Sequence, residues 1–501
     1  MGRLATLAVA VLWMVACSSE PTTRQLAGEA AAAMGGLDEL RSIRTLTMSG
    51  GAGTRTRLGQ TVRVGDAENT GQLENVVEVI DLAGGRASMH YVITNGAFKQ
   101  DRHEILTRRG NMPVGIEIVP NRPIVASSVS GLFSWGTQNS PEFLLRRNIV
   151  SIVLAAVESA ADTPAESRQL DGRTYEYGTA TTASGEEIEL YFDPETSLLA
   201  AYEVTDTETM LGDVPARYLF GDYRMVGGLT LPHQIAIQKG GRDYSSVQFA
   251  SIAANDQAAE EAFAIPEEAS AEADQAIAEG EFSRISLTPV AQGVHLARAY
   301  SHNSLVVEFP SWLAVVEAPY TDAQSATLAR VLQQQFPGKP IQYAAVTHHH
   351  YDHTGGVRGI AAHGATVLVA RGHEQAIQEL LDAAHTNPPD ELARRRAAKQ
   401  PTGSIEVYDG MKALSDGGQT LELYAVSGSP HADPIVLAYV PSARVLFQSD
   451  LFFPGTGGGA SPAATHLLES VRMLELGVDT NVGGHGGVGP FAELVKAGTP
   501  N

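Results

Sequence analysis

In the run Thr347-His348-His349-His350-Tyr351-Asp352-His353-Thr354-Gly355-Gly356, one register could do chemistry: His348, His350, Asp352 and His353, spaced His-x-His-x-Asp-His. Three imidazoles and a carboxylate this close together make a metal-site arrangement. Borderline cations such as zinc take neutral imidazole nitrogen and carboxylate oxygen. Residues i and i+2 at a strand end converge on one ion, while i+4 and i+5 are free to turn toward a second. A merely solvated histidine-rich loop needs neither the aspartate nor the Gly355-Gly356 pair.

Further ligand types fall downstream at positions where a side chain can reach a shared cleft. His431 follows Ser427-Gly428-Ser429-Pro430, Asp450 follows Val445-Leu446-Phe447-Gln448-Ser449, and His485 sits in Gly483-Gly484-His485-Gly486-Gly487. The elements that must position them are readable. Ile341 to Val346, just before the histidine run, is an apolar stretch with the character of a buried strand. Val290–Ala297, Ser304–Phe309, Trp312–Glu317, Ala365–Ala370, Thr420–Val426, Pro434–Val440 and Arg444–Ser449 are expected as strands. Asp322–Gln335, Glu374–Ala384, Leu392–Gln400 and Ala463–Leu476 are expected as helices. Strands and helices mixed in this order predict two packed sheets with helices outside.

The set His348, His350, Asp352, His353, His431, Asp450 and His485, in this order, resembles the metallo-β-lactamase superfamily, over the whole of residues 283–501. The resemblance implies an αββα sandwich with a two-metal site, usually zinc, with iron or manganese as other candidates. It implies that His348, His350 and His431 hold one ion, that Asp352, His353 and His485 hold the other, and that Asp450 bridges. Asp352 is then the residue best placed to orient the metal-bridged hydroxide and relay a proton. Members with β-lactamase activity of the main zinc classes carry Cys or Ser where this chain has Asp450, so an ester, lactone, thioester or amide is the expected small-molecule substrate. Some members instead bind a single iron and oxidise sulfur compounds. His302, His363, His373, His385 and His466 have no motif partner and are expected at the surface, while His295 and His349 are candidates for places beside the ligands. Arg394, Arg395 and Arg396 suggest either a solvated face or a reception for an anionic substrate, and Gly455-Thr456-Gly457-Gly458-Gly459 a mobile loop over the site.

The rest of the chain frames this site. At 501 residues it is too long for one ordinary core. Net charge is −22, and the absence of a long basic patch argues against nucleic acid as a partner. Of 15 histidines, 12 lie in residues 281–501, which concentrates the site chemistry there. Residues 25–250 are expected to form a β-rich N-terminal domain, a curved antiparallel sheet with helices, one of them Glu142–Ala160. Its layout and its Phe220-Gly221-Asp222-Tyr223-Arg224…Gly228…Leu231-Pro232 pattern loosely resemble the bacterial lipoprotein-carrier half-barrel, which implies a lipid- or substrate-binding cleft. Residues 251–282, with carboxylates and no Lys or Arg, read as an acidic linker without function.

At the start, Met1-Gly2-Arg3 and the apolar run Leu4 to Ala16 have the form of a signal peptide, residues 1–16. Met14-Val15-Ala16-Cys17 resembles a bacterial lipoprotein box. That implies a lipid on Cys17, a tether over residues 17–24, and a place in the cell envelope facing the periplasm or the exterior. The only cysteine is then at the lipid end, so neither a disulfide nor a catalytic thiol is available. Three readings follow: a dinuclear zinc hydrolase, a mononuclear-iron sulfur oxidoreductase of the same fold, and an envelope lipid-binding protein with a vestigial metal domain.

Overall fold

The computed structural model describes residues 20–96, 98–109, 112–120, 125–128, 144–145, 148–182, 185–267, 270–271, 274, 285–299, 302–386, 388–456 and 459–499. The signal peptide, Cys17 and Gly457-Gly458 lie outside them. Among the described residues, no helix is long and apolar enough to cross a membrane.

The N-terminal part is a 14-stranded sheet whose neighbours pair antiparallel. At its middle is the strand Thr45–Arg57, which pairs with Asn69–Asp81 on one side and with Arg242–Gln248 and Ser251–Ala254 on the other. Register shifts at Gly51 and Gly53 bend it, and a Cβ on Gly53 would run into the Ser246 carbonyl of the neighbouring strand. Helices Thr23–Ala33 and Ile149–Ser159 bury Leu26, Ala30, Ile152 and Val153 against Leu190, Tyr202 and Leu231 of the sheet. Asn148 caps the second helix by accepting from the Ser151 amide at 3.0 Å, and Leu144 and Leu145 before it are also helical. The expected start at Glu142, with residues 143, 146 and 147, lies outside the described residues.

The acidic linker expectation needs correction at its start. Ser251–Ala254 is a strand of the sheet, and the 3-10 helix Gln257–Phe263 places Phe263 on Val79, Ile105, Val114 and Ile116. Two apolar anchors, Ile252 and Phe263, outweigh the charged composition around them.

The C-terminal part holds two sheets. One has seven strands in chain order, antiparallel from Ser286–Ala291 to Leu313–Val316 and then parallel through Ile341–Ala345, Thr366–Ala370 and Ile405–Tyr408. The other has six, from Met411–Asp416 to Val488–Pro490. The expected strand Val290–Ala297 is instead a hairpin of Ser286–Ala291 and Val294–Arg298, since Gly293 turns the chain at φ +71°. Three apolar layers give the order helix, sheet, sheet, helix. Leu328 and Leu332 of helix Asp322–Gln335 pack on Val315 and Val367. Leu305 and Leu368 meet Leu421 and Phe447 between the sheets. Leu467 and Leu468 of helix Pro462–Met473 cover Leu437 and Leu446.

Gly355 and Gly356 explain themselves in this packing. A side chain on Gly355 would collide with the Tyr320 carbonyl, and one on Gly356 with Ser325. The turn after the histidine run thus sits flush on the neighbouring strand's exit.

Candidate metal centre

The cleft floor is built where strands end. His348 and His350 follow strand Ile341–Ala345, and His350 precedes the short helix Tyr351–Thr354 that carries Asp352 and His353. His431 lies between strands Gln419–Val426 and Ile435–Val440. Asp450 follows Val445–Gln448, and His485 follows Thr480–Gly483. Glu317, Tyr320 and Asp450 all sit in the left-handed region, at φ +70°, +59° and +61°. Non-glycine residues hold such backbone only where the surroundings impose it, and such positions gather at functional sites.

All seven residues singled out in the sequence come together. Asp450 lies among four imidazoles: His353 Nε2 at 2.7 Å and His485 Nε2 at 3.0 Å, His348 Nε2 and His431 Nε2 both at 3.5 Å. Three groups of ligand atoms each fall within 4.8 Å of one another: His348, His350 and His431; His302, Asp352, His353 and His485; and, behind them, Glu317, His348 and His353.

The tautomers are set from outside. The Thr347 hydroxyl donates to Glu317 Oε1 at 2.6 Å, so its oxygen accepts from His348 Nδ1 at 2.9 Å and leaves Nε2 as a lone pair. His353 Nδ1 donates to Glu317 Oε2 at 3.0 Å, which turns its Nε2 to the centre. His350 Nε2 donates to the Thr61 carbonyl at 2.9 Å, which leaves Nδ1 for a ligand. Glu317 is fully buried and engaged through both oxygens, so it orients two histidines. The buried Nε2 atoms of His348 and His431 have no hydrogen-bond partner among the described residues.

Electrostatics point the same way. Burial and neighbouring imidazoles keep His348 far below its ordinary value, and burial followed by His431 brings His350 down to about 4. Both therefore stay neutral and able to ligate. Burial works against ionising Asp352 and Asp450, but His353 and the other histidines hold both carboxylates below their usual range. His353 alone is pushed well up: burial opposes the charge, and Glu317, Asp450 and Asp352 outweigh it. Such a gathering of anionic oxygens and imidazole lone pairs fits divalent cations of the zinc type.

Several expectations need correction. His302 is buried in the site, not at the surface. Its Nδ1 is 2.6 Å from the Tyr320 hydroxyl, its Nε2 is 3.4 Å from Asp352 Oδ2, and its ring centroid is 3.9 Å from that of His485. His373 and His385 are also buried, and His373 packs beneath His349 with their Nδ1 atoms 3.2 Å apart. His349 does lie beside the ligands, whereas His295 packs on Phe336 away from them. Arg394 and Arg395 pair with Glu391, and Arg396 with Asp382 and Leu381, on the outer helix Glu391–Ala397. They do not line the cleft.

That cleft, about 800 Å³, has walls from both domains. Arg57, Gln60, Asn95 and Arg102 come from the first, Tyr320 and Phe453 from the second.

With the fold and the ligand geometry in view, residues 314–485 match the family model of the metallo-beta-lactamase superfamily. Within the C-terminal domain that match takes in His348, His350, Asp352, His353, His431, Asp450 and His485. The chain is 25% identical over 186 residues to the 2,4-dinitroanisole O-demethylase subunit alpha of Nocardioides sp. (strain JS1661), covering 36% of this chain and 52% of that protein. The matched segment thus spans about half the length of that relative. Among solved structures, the metallo-beta-lactamase FIM-1 from Pseudomonas aeruginosa in its mono-zinc form is 17% identical, covering 43% of this chain and 93% of that one, with a TM-score of 0.33. A metallo-beta-lactamase from Hirschia baltica is 15% identical, covering 43% and 96%, with a TM-score of 0.31.

Proposed function

We propose that the chain is a dinuclear zinc hydrolase of the bacterial cell envelope, exported by residues 1–16 and lipid-anchored through Cys17. The observation that carries this reading is the meeting of two ligand groups at Asp450. His348, His350 and His431 would hold one ion and Asp352, His353 and His485 the other, with Asp450 between the two groups. Two zinc ions so held supply a hydroxide nucleophile at neutral pH and a Lewis acid for the scissile carbonyl oxygen.

The chain's own residues do the rest. Asp352, with Oδ1 already accepting from Gln60 at 2.9 Å, turns Oδ2 toward the ligand group, 3.4 Å from His302 Nε2, where it would orient the nucleophile. The Tyr320 hydroxyl braces His302 from its Nδ1 side at 2.6 Å, and Phe453 gives the cleft an apolar side. Arg57, Asn95 and Arg102 offer polar anchors for a small ester, lactone, thioester or amide. The curved first domain thereby serves as a substrate wall.

The test is turnover by zinc-loaded residues 18–501 on a panel of lactones, thioesters, phosphodiesters and β-lactams. The Nocardioides relative's name adds 2,4-dinitroanisole to the panel. Expected is chelator-sensitive turnover of one class, reduced at least about 100-fold in Asp352→Asn. Absence of turnover with two zinc ions bound would overturn the hydrolase. A single native iron would then favour the sulfur oxidoreductase, and co-purified lipid the binding protein.

A further inference from the structure

His350 and Asp352 take part of their support from outside the domain that carries them. The loop between strands Thr45–Arg57 and Asn69–Asp81 of the first domain reaches across and lies on the ligand loops. Gln60 Nε2 donates to Asp352 Oδ1 at 2.9 Å, and the Thr61 carbonyl accepts from His350 Nε2 at 2.9 Å. The Thr61 hydroxyl is 3.3 Å from His349 Nε2. Next along, the Val62 carbonyl accepts from the Asp433 amide at 2.8 Å, and Arg63 Nε donates to Asp433 Oδ2 at 3.1 Å, two residues beyond His431. The loop is braced from its own side: the Gly59 amide donates to Glu68 at 2.9 Å. Gln60 and Thr61 are both buried.

From this we infer that the segment Leu58–Glu68 of the first domain is a working part of the metal centre, with Gln60 the residue that positions Asp352. The inference rests on the dinuclear reading above. An amide that pins one carboxylate oxygen leaves the other to face an ion and stops the group from rotating. Such outer hydrogen bonds change metal affinity by about 10–100-fold. The effect falls on one ion, because Gln60 touches only the Asp352 side. The Thr61 carbonyl acts on the other side by fixing which nitrogen of His350 is bare.

The experiment is a zinc titration of the metal-free full chain against a chromogenic chelator, which reads affinity without any substrate. The native chain should take up two equivalents. In Gln60→Leu one equivalent should weaken by about 10–100-fold and the other stay within about threefold. Gln60→Glu, which keeps the length but turns a donor into an acceptor, should weaken the same equivalent at least as much. It also serves if the leucine variant folds poorly. Native affinity at both equivalents in the variants would overturn the inference, and so would equal weakening of both. A native chain that binds one equivalent would overturn the dinuclear reading and this inference with it. Failure to find a substrate would touch neither.

Discussion

Ionisable side chains are buried in two regions, and they are arranged in opposite ways. In the first-domain sheet several buried charges meet a complement: Tyr91 donates to Glu104 at 2.9 Å, and Arg102 lies 2.8 Å from Glu117 and 3.4 Å from Glu104. Arg55 stands over the Tyr91 ring, and Lys239 over Tyr244. On the cleft floor, acceptors face acceptors. Imidazole lone pairs and two aspartates aim at common points, while their outer partners stand behind them: Thr347, which accepts from His348, and Gln60, which donates to Asp352. A network that closes on itself holds a structure together; one that leaves its acceptors converging is arranged to take a cation.

The comparison breaks first at Asp450. Asp450→Ala should lower kcat/KM by about 10³-fold or more, because the two-metal arrangement supplies several kcal/mol of charge stabilisation. Metal content per chain, measured on the same samples, should fall below two. A variant with two ions and activity within about tenfold of native would remove Asp450 from the bridging role.

The converse substitution is Arg102→Met in the sheet. It leaves Glu104 and Glu117 buried without their guanidinium, and should cost about 3–4 kcal/mol of stability. Denaturant unfolding of the metal-free protein measures it. An unchanged midpoint would mean that the network is not structural.

The smallest effect sharpens the contrast through pH. Burial pushes Glu78 up from 4.5 to about 7, with Arg55 opposing. A carboxyl raised in the folded state contributes stability in full below about pH 4.5, and that contribution is lost as pH climbs to about 7. Glu78→Gln should therefore gain about 2–3 kcal/mol on the native chain between pH 4.5 and 8. Thermal midpoints of both proteins across that range decide it, and parallel curves would sink the assignment.

Much of the cleft floor was legible in the sequence because its ligands are rare residue types in a tight spacing at strand ends. What escaped needed pairing over distance. Gln60 and Asp352 are 292 positions apart, and nothing in the local sequence of Gln60 marks it. His302 carried no signal beyond preceding a strand; only the turn of the His485 loop onto Asn303, whose amide donates to the Gly483 carbonyl at 2.9 Å, brings it to the site. Glu317 was visible as a carboxylate closing a strand, but its role depends on Thr347 and His353 meeting it from the next one. In the first domain the strand alternation was readable. The fate of the acidic stretch turned on two apolar residues that composition averages away.

The cleft with one wall from each domain has a consequence for how such a protein changes over time. The first-domain side chains that line the cleft, Arg57 and Asn95 among them, belong to a stretch of sequence that contains none of the proposed ligands. Mutations there can retune what is recognised while the chemistry is inherited intact. The loop carrying Gln60 marks where that freedom ends.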